Sequence, residues 1–454
     1  MADAAFEKDI EMAKCIALKA ASLGGRSFYV GGFVRDRLLG RENKDVDIEI
    51  HGLTPSQLES VLDSLGTRIC VGESFGIFML RGYSVDIAMP RREKLRGSGH
   101  RDFEVSVDPF IGTEKAAVRR DFTVNALMED VLTGEVIDHF GGQEDLRRGV
   151  IRHVKSETFV EDPLRVLRAA QFAARFGFTV ADETIEICKN MPLCHLSHER
   201  VEGELRKALL KADTPSVFFE TLRKMNRLGE WFPEAEALIG VPQNPVHHAE
   251  GDVWTHTMMV IDAAAGLRGR AANPLGLMLA AVTHDFGKAV CTEVVNGAIH
   301  AYGHETKGLP LIRDFLTRIT SEKKLIDYVL NLSENHMRPN TAASAGSSVK
   351  STNRMFDESV DPEALIAIAL ADDLGKISEK QEPPHEDFLY ERLNIFRETM
   401  ARPAVMGRDL IEAGLRPDSN FSEILRYAHK LHLAGVEKDS ALKQTLSYAR
   451  KLKK

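Results

Sequence analysis

The sequence predicts an α+β protein: a small α/β head with a mixed or antiparallel sheet, followed by a long all-helical body. Three observations carry that prediction. Residues 28–50, FYVGGFVRDRLLGRENKDVDIEI, read as strand, glycine turn, helix and second strand. Alternating apolar and polar residues recur up to about residue 142. From Gln143 onward helical spacing dominates, with one strand-like exception at residues 294–300.

Taken in order, residues 6–23 form an amphipathic helix ahead of the first strand. Gly31 and Gly32 end the apolar run of Phe28, Tyr29 and Val30, and a helix over 33–39 stops at Gly40. Paired glycines let the backbone approach a phosphate, and the N–H groups opening the next helix point at it. Along the strand over 46–50, side chains alternate, so Asp45 and Asp47 share one side while Val46 and Ile48 face the core. Two carboxylates so placed bind hard divalent cations, usually Mg²⁺, which activate an attacking oxygen and stabilise a leaving one. Two unconnected surface acids are the plainer alternative. A helix at 55–65 and strands at 68–71, 75–80 and 84–88 follow; Asp86 is either a third metal-facing carboxylate or an ordinary strand charge. Residues 91–114, rich in charge with Gly and Pro, read as a long mobile loop. RRDFTVNAL, a strand at 135–138 and a break at Gly141-Gly142 close the head. Linkers are expected at 339–352 and 378–386.

The chain has 454 residues, 43% hydrophobic and 28% charged, an ordinary globular composition with room for several domains. A net charge of −8 argues against non-specific polyanion binding, so a nucleic-acid partner would need local basic patches. The N-terminus lacks signal-peptide character and no run is long enough to span a membrane, which gives a cytoplasmic address as the default. The five cysteines lack C-x-x-C spacing and are expected to be buried thiols. Oligomeric state is left open.

Arg119, Arg120 and Asp121 combine phosphate donors with an acceptor for a ribose hydroxyl; a surface salt-bridge cluster is the alternative. In Glu161-Asp162-Pro163 an N-cap aspartate followed by proline accounts for Asp162 but not for Arg165. On the helix that follows, Val166, Ala169, Ala170, Ala173 and Phe176 form a buried stripe. Arg165, Arg168, Phe172 and Arg175 lie on another flank, facing either a ligand or solvent. Seven of the 16 histidines fall between His247 and His336. His256 lies in one apolar helix, His284-Asp285 on another and Asp372 on a third, with Asp373 as its rival.

With GGFVRD, DVD, RRDFTVNAL and EDPLRVLRAAQFAARFGF in that order, the chain resembles the bacterial-type CCA-adding tRNA nucleotidyltransferases and their poly(A) polymerase relatives, over at least residues 28–210. The resemblance implies a polymerase-beta-type head, with Asp45 and Asp47 holding the metal. It implies nucleotide binding by Gly31, Gly32, Arg35, Arg119, Arg120, Asp121 and Asn125, with Asp162, Arg165 and Arg168 around the incoming base. Asp138, Gly142 and Arg152 match the family's hinge. The later histidines resemble the HD phosphohydrolase pattern: His256, His284, Asp285 and Asp372, extended by His304 and His336 to two metals, with Ni²⁺ or Mn²⁺ as candidate ions and Lys288 for a phosphate. The implied domains are a head (1–142), a neck (143–240), an HD body (241–376) and an RNA-holding tail (377–454). The implied activity is addition of C, C and A from CTP and ATP to a tRNA 3′ end; an intact 91–114 loop favours all three additions. The alternatives are a poly(A) or A-only polymerase, an HD phosphohydrolase with an RNA-binding head, and a silent RNA-binding protein.

Overall fold

The structure, a computed structural model, describes residues 2–72, 77–95, 103–377 and 385–452. Its contacts divide into two units, Met1–Glu204 with Val217–Arg227, and Leu205–Ser216 with Leu228–Lys454.

The first unit is built on a mixed sheet. Its strands are β1 (Arg26–Val30), β2 (Val46–His51), β3 (Arg68–Gly72), β4 (Ile77–Leu80), β5 (Val85–Ala88), β8 (Met128–Asp130) and β9 (Val136–Ile137), in the order β3-β4-β5-β2-β1-β8-β9. Only β2 and β5 run parallel; the other pairs are antiparallel. Val46, Ile48 and Ile50 of β2 and Val85 and Ile87 of β5 are buried on one face. The helix Ala2–Ser22 contributes Ala13, Ile16, Ala17 and Ala20 to the core, and the helix Pro55–Asp63, capped by Thr54, contributes Leu58, Val61 and Leu62. With that face filled by aliphatic side chains, the alternate residues of β2 must look the other way.

Several expectations change here. Residues 91–114 are not one loop: β6 (Arg91–Leu95) pairs antiparallel with β7 (Phe103–Val107), and a helix runs over Thr113–Val118. The alternation of FEVSV was a strand signal overshadowed by the surrounding charge and glycine; residues 96–102 lie outside the described part. Two residues are too short to show a period, so the parallel pair β10 (Val150–Ile151) and β11 (Thr179–Val180) could not be read within the helical stretch. The 339–352 linker is largely helical, Met337–Ser344 and Val349–Asp357, because Ser348 caps the second helix and Thr352, Asn353, Met355 and Phe356 are buried. The other expected linker falls mostly on residues 378–384, outside the described part. Cys15 and Cys194 are exposed rather than buried; Cys15 falls off its helix's apolar stripe.

Among its described residues the second unit is helical apart from the hairpin β12 (Glu293–Val295) and β13 (Ala298–His300) and the loops between elements. Helices Val253–Leu267, Pro274–Thr283 and Pro362–Leu374 are apolar around much of their circumference, as fully enclosed helices are. Nearer the C-terminus, Leu410, Ile424, Ala428, Ala441 and Ala449 form a separate small core among helices Gly407–Glu412, Phe421–Leu433 and Lys438–Leu452. Among the described residues no helix is long and apolar enough to cross a membrane.

Candidate active sites

The first candidate site lies on the polar side of β2. Asp45 is exposed just ahead of the strand, Asp47 is half-buried within it, and Asp86 sits in register beside Asp47 on β5. This parallel pairing makes Asp86 a third carboxylate on the same face. Asn43 orders the approach: its side-chain oxygen accepts from Asp45 N at 2.9 Å and its amide donates to Asp36 Oδ2 at 2.9 Å. Burial and the neighbouring Asp86 and Asp45 carboxylates push the Asp47 carboxyl up to about 6, against the opposing pull of Arg120.

Two residues further along the same face, Glu49 is buried, and its environment is the reverse. Burial alone would raise it, but a hydrogen bond from His51 at 2.8 Å and the Arg120 and Arg119 guanidiniums, 3.7 and 3.3 Å away, hold it down at about 2. Sequence reading passed over Glu49, although DVDIEI alternation places it beside Asp45 and Asp47. Gly31, at φ +65°, caps the helix Gly32–Leu38, and a side chain there would reach 3.4 Å from Arg120 Nη1.

Asp121 is buried. Burial pushes its carboxyl up, but Arg168 (Nε to Oδ2, 2.6 Å), the Asn125 amide (2.9 Å) and Phe122 N (2.8 Å) together hold it below its ordinary value. Arg35 donates to Asn125 Oδ1 at 2.6 Å and lies over the Phe176 ring. Phe172, expected on the ligand-facing flank, is buried against Phe122 and Phe176 beneath Arg35 and Arg168. The aromatic ring supplies a packing floor for the guanidiniums that helical spacing alone could not distinguish from an exposed flank.

Asp162 Oδ1 accepts from Leu164 N at 3.1 Å in a turn just ahead of the helix Leu164–Phe176, but the N-cap is Pro163, so the expected aspartate cap is displaced by one residue. Its main partner is Arg200, a residue not picked out from the sequence, which donates to both carboxylate oxygens at 3.0 and 2.9 Å. Arg165 donates to two backbone carbonyls, Thr158 O at 2.6 Å and Arg119 O at 2.7 Å. The Gly142–Arg148 helix is tied down by Asp138, which accepts from Gly142 N and Gln143 N, while Asp145 accepts from Thr123 and Arg152.

The second candidate site is the buried histidine cluster of the second unit. His256, His284, Asp285, His304, His336 and Asp372 are all buried. His284 and Asp285 were expected on a helix; instead that helix ends at Thr283 and both lie in the turn that follows. His284 keeps helical backbone angles and its N–H still donates to Ala280 O at 2.8 Å, so the chain departs from the helix directly after it. Gly287 permits that departure, since a side chain there would lie 2.0 Å from His304 O.

Each imidazole turns its Nδ1 outward. His284, His304 and His336 set Nδ1 at 3.0, 3.0 and 2.7 Å from the carbonyls of Ala281, Ala301 and Ser333. The Nε2 atoms then converge: His256 lies 3.0 Å from Asp372 Oδ1, His284 3.3 Å from Asp285 Oδ2, and His304 3.3 Å from Asp285 Oδ1 and 3.4 Å from His336 Nε2. His284 Nε2 and Asp285 Oδ1 are buried yet make no hydrogen bond. Histidines held at Nδ1 with Nε2 atoms turned toward one another and toward carboxylates fit divalent cations, as two groups, His256/His284/Asp372 and Asp285/His304/His336. Lys288 reaches Asp285 at 2.7 Å and Gln243 at 2.8 Å, and Lys376 reaches Asp372 at 2.6 Å. Asp373 stands outside, paired with Lys376 at 3.2 Å.

Residues 27–152 match the family model described as Poly A polymerase head domain. The chain is 36% identical over 401 residues to the Multifunctional CCA protein of Nitrosococcus oceani, covering 86% of this chain and 94% of that one. It is 39% identical over 316 residues to the protein of the same name from Actinobacillus pleuropneumoniae serotype 5b, covering 68% and 74%. Its fold is similar to that of the Thermotoga maritima CCA-adding enzyme complexed with tRNA (TM-score 0.65, 20% identity, 97% and 95% covered). It is similar also to the Bacillus stearothermophilus CCA-adding enzyme in complex with CTP (TM-score 0.62, 21% identity, 96% and 97% covered).

A proton and a divalent cation compete for Asp47. In a His284→Ala/Asp285→Ala background, Mn²⁺ affinity at the head is therefore expected to rise with pH up to about 6 and then level off. Replacing Asp86 by Asn removes a neighbouring charge that raises Asp47 and should move that break to lower pH. Mn²⁺ titration followed by electron paramagnetic resonance from pH 5 to 8 measures both; an unmoved break would contradict the coupling.

Proposed function

The chain belongs to the multifunctional CCA protein family, and on that premise we propose that it adds C, C and A to the tRNA 3′ end from CTP and ATP, releasing pyrophosphate. The observation that carries the head's role is the set of three carboxylates, Asp45, Asp47 and Asp86, beside the Gly31-Gly32 turn with Arg120 against it. Mg²⁺ bound there supplies activation of the tRNA 3′-OH and stabilisation of the leaving pyrophosphate. The rest is done by side chains. Arg119 and Arg120, held by Glu49, offer donors to the triphosphate. Asp121, fixed by Arg168 and Asn125, keeps lone pairs for a ribose hydroxyl.

Base choice falls to Asp162 and Arg165. Cytosine and adenine share an exocyclic amine beside an unprotonated ring nitrogen; uracil and guanine present a carbonyl and a ring N–H instead. Asp162 retains acceptor capacity beyond its bonds to Arg200 and Leu164, and Arg165 retains donors beyond the two given to carbonyls. Arg200 and those carbonyls thus preset a donor–acceptor pair that fits C and A and mispairs with U and G. The pair cannot tell C from A, so the β6–β7 region is assigned the reshaping of the pocket after the second C.

A second activity is proposed for the histidine cluster: metal-dependent phosphoester hydrolysis by an HD-type centre. The observation favouring it is the convergence of buried Nε2 atoms on Asp285 and Asp372. The imidazoles suit Ni²⁺ and the carboxylates among them suit Mn²⁺, and a bound ion would supply a hydroxide nucleophile. Lys288 and Lys376 stand beside the two carboxylates, where either can donate to a phosphate oxygen.

Single-nucleotide extension of tRNA transcripts ending at the discriminator base, at C and at CC tests the first activity and separates it from A-only addition, in which CTP would never be used. In that assay Asp162→Ala should lower CTP and ATP use together and narrow the preference over UTP and GTP by about tenfold to a hundredfold; unchanged selectivity would reduce Asp162 to a structural partner of Arg200 and Leu164 N. His284→Ala with Asp285→Ala should abolish Mn²⁺- or Ni²⁺-stimulated hydrolysis of 2′,3′-cyclic nucleotides and phosphomonoesters while sparing extension. Wild-type protein with no such hydrolysis would contradict the second activity.

A further inference from the structure

One buried carboxylate beside the histidine cluster belongs to neither ligand group that surrounds Asp285 and Asp372. The Glu250 side chain is fully buried. Its Oε1 lies 2.7 Å from His248 Nδ1 and 3.1 Å from His256 Nδ1, and its Oε2 accepts from Ile377 N at 2.9 Å. A second bond, Ala249 N to Ile377 O at 2.8 Å, holds the same two segments together. Ile377 follows directly on the helix that carries Asp372, so Glu250 ties the approach to one ligand's helix to the exit from another's. His256 Nδ1 has a carboxylate oxygen at 3.1 Å, whereas the Nδ1 atoms of His284, His304 and His336 have backbone carbonyls as their nearest partners, with the Glu305 carboxylate at 3.6 Å from His304.

We propose that Glu250 is a positioning residue for the metal centre: it fixes His256 with its proton on Nδ1, so that the Nε2 lone pair faces the cation shared with His284 and Asp372. The inference rests on reading the histidine cluster as a metal centre. A carboxylate accepting from the outer nitrogen of a ligating imidazole sets its tautomer and ring angle and raises its basicity. His248 and Ile377 N, each donating to one Glu250 oxygen, keep the carboxylate ionised and aimed. His248 Nδ1, Glu250 Oε1 and His256 Nδ1 also lie close enough together to suggest a cation site of their own. The geometry points away from that. The separations from Oε1 are hydrogen-bond lengths, and Gly375 O lies 3.2 Å from His256 Nδ1 as a second acceptor, an arrangement that suits an N–H and repels nothing.

The test is calorimetric titration of Ni²⁺, which prefers imidazole to the all-oxygen head, into the full-length, chelator-stripped protein, with thermal melting of the metal-free form measured in parallel. Glu250→Gln should weaken Ni²⁺ binding about tenfold to a hundredfold at unchanged stoichiometry, with little change in metal-free melting. His248→Phe, which removes one donor to Glu250, should weaken it by a smaller factor and stands in if Glu250→Gln does not fold. Wild-type affinity in these variants overturns the positioning role and leaves the metal centre standing. A lost equivalent of Ni²⁺ overturns it in favour of direct ligation by Glu250. No Ni²⁺ binding by the wild type overturns the metal-centre reading itself, and the positioning role with it.

Discussion

Carboxylates placed side by side on one strand repel each other, and the head is arranged around how β2 handles that repulsion. Its aliphatic residues fill the core, which leaves Asp47 and Glu49 on the opposite face together with Asp45. Glu49 is neutralised by Arg119, Arg120 and His51, whereas Asp47 faces Asp86 and Asp45, with Arg120 in opposition among the described residues. Raising its carboxyl to about 6 corresponds to about 3 kcal/mol against the ionised form. A divalent cation relieves that cost, so the protein's charge pattern favours metal at Asp47 and fixed guanidiniums at Glu49.

The histidine cluster solves a different problem. Six ionisable side chains sit in a nearly dry space, and such a group is costly unless each polar atom has a partner. The outer nitrogens are satisfied by carbonyls and Glu250, and two lysines offset Asp285 and Asp372. What is left over, His284 Nε2 and Asp285 Oδ1, points inward. Leftover ligand atoms in the middle of an otherwise satisfied shell are what a cation completes. Close backbone approach makes the convergence possible, as Gly287 against His304 shows.

The head's elements as far as β5 and the face carrying Asp45 and Asp47 were legible because they follow from period-two alternation and from glycine, whereas β6, β7 and β8 were not. Asp45 and Asp47 could be placed that way, and the register that brings Asp86 alongside could not, since strand pairing depends on contacts distant in sequence. Arg200 escaped notice for the same reason: it pairs with Asp162 across 38 positions. Phe172 was misplaced because helical spacing separates flanks without revealing what packs on them. In the second unit the residue types announced a cluster, but the choice of Asp372 over Asp373 depends on which face of the helix Pro362–Leu374 is enclosed, and the turn that carries His284 and Asp285 on where the preceding helix ends. Glu250 carries no local signal at all; its role arises from the neighbouring histidine and the chain at Ile377.

The central claim is that β2 and β5 form the nucleotidyl-transfer centre, separate from the histidine site. Its most direct measurement is single-turnover CTP incorporation into a tRNA transcript lacking CCA, comparing wild type, Asp47→Asn and His284→Ala/Asp285→Ala, with tRNA binding measured alongside. Asp47→Asn should abolish incorporation and leave tRNA affinity nearly unchanged, because a neutral amide is a poor Mg²⁺ ligand, while the double variant should extend at the wild-type rate. Normal extension by Asp47→Asn, or loss of extension in the double variant, would contradict the account.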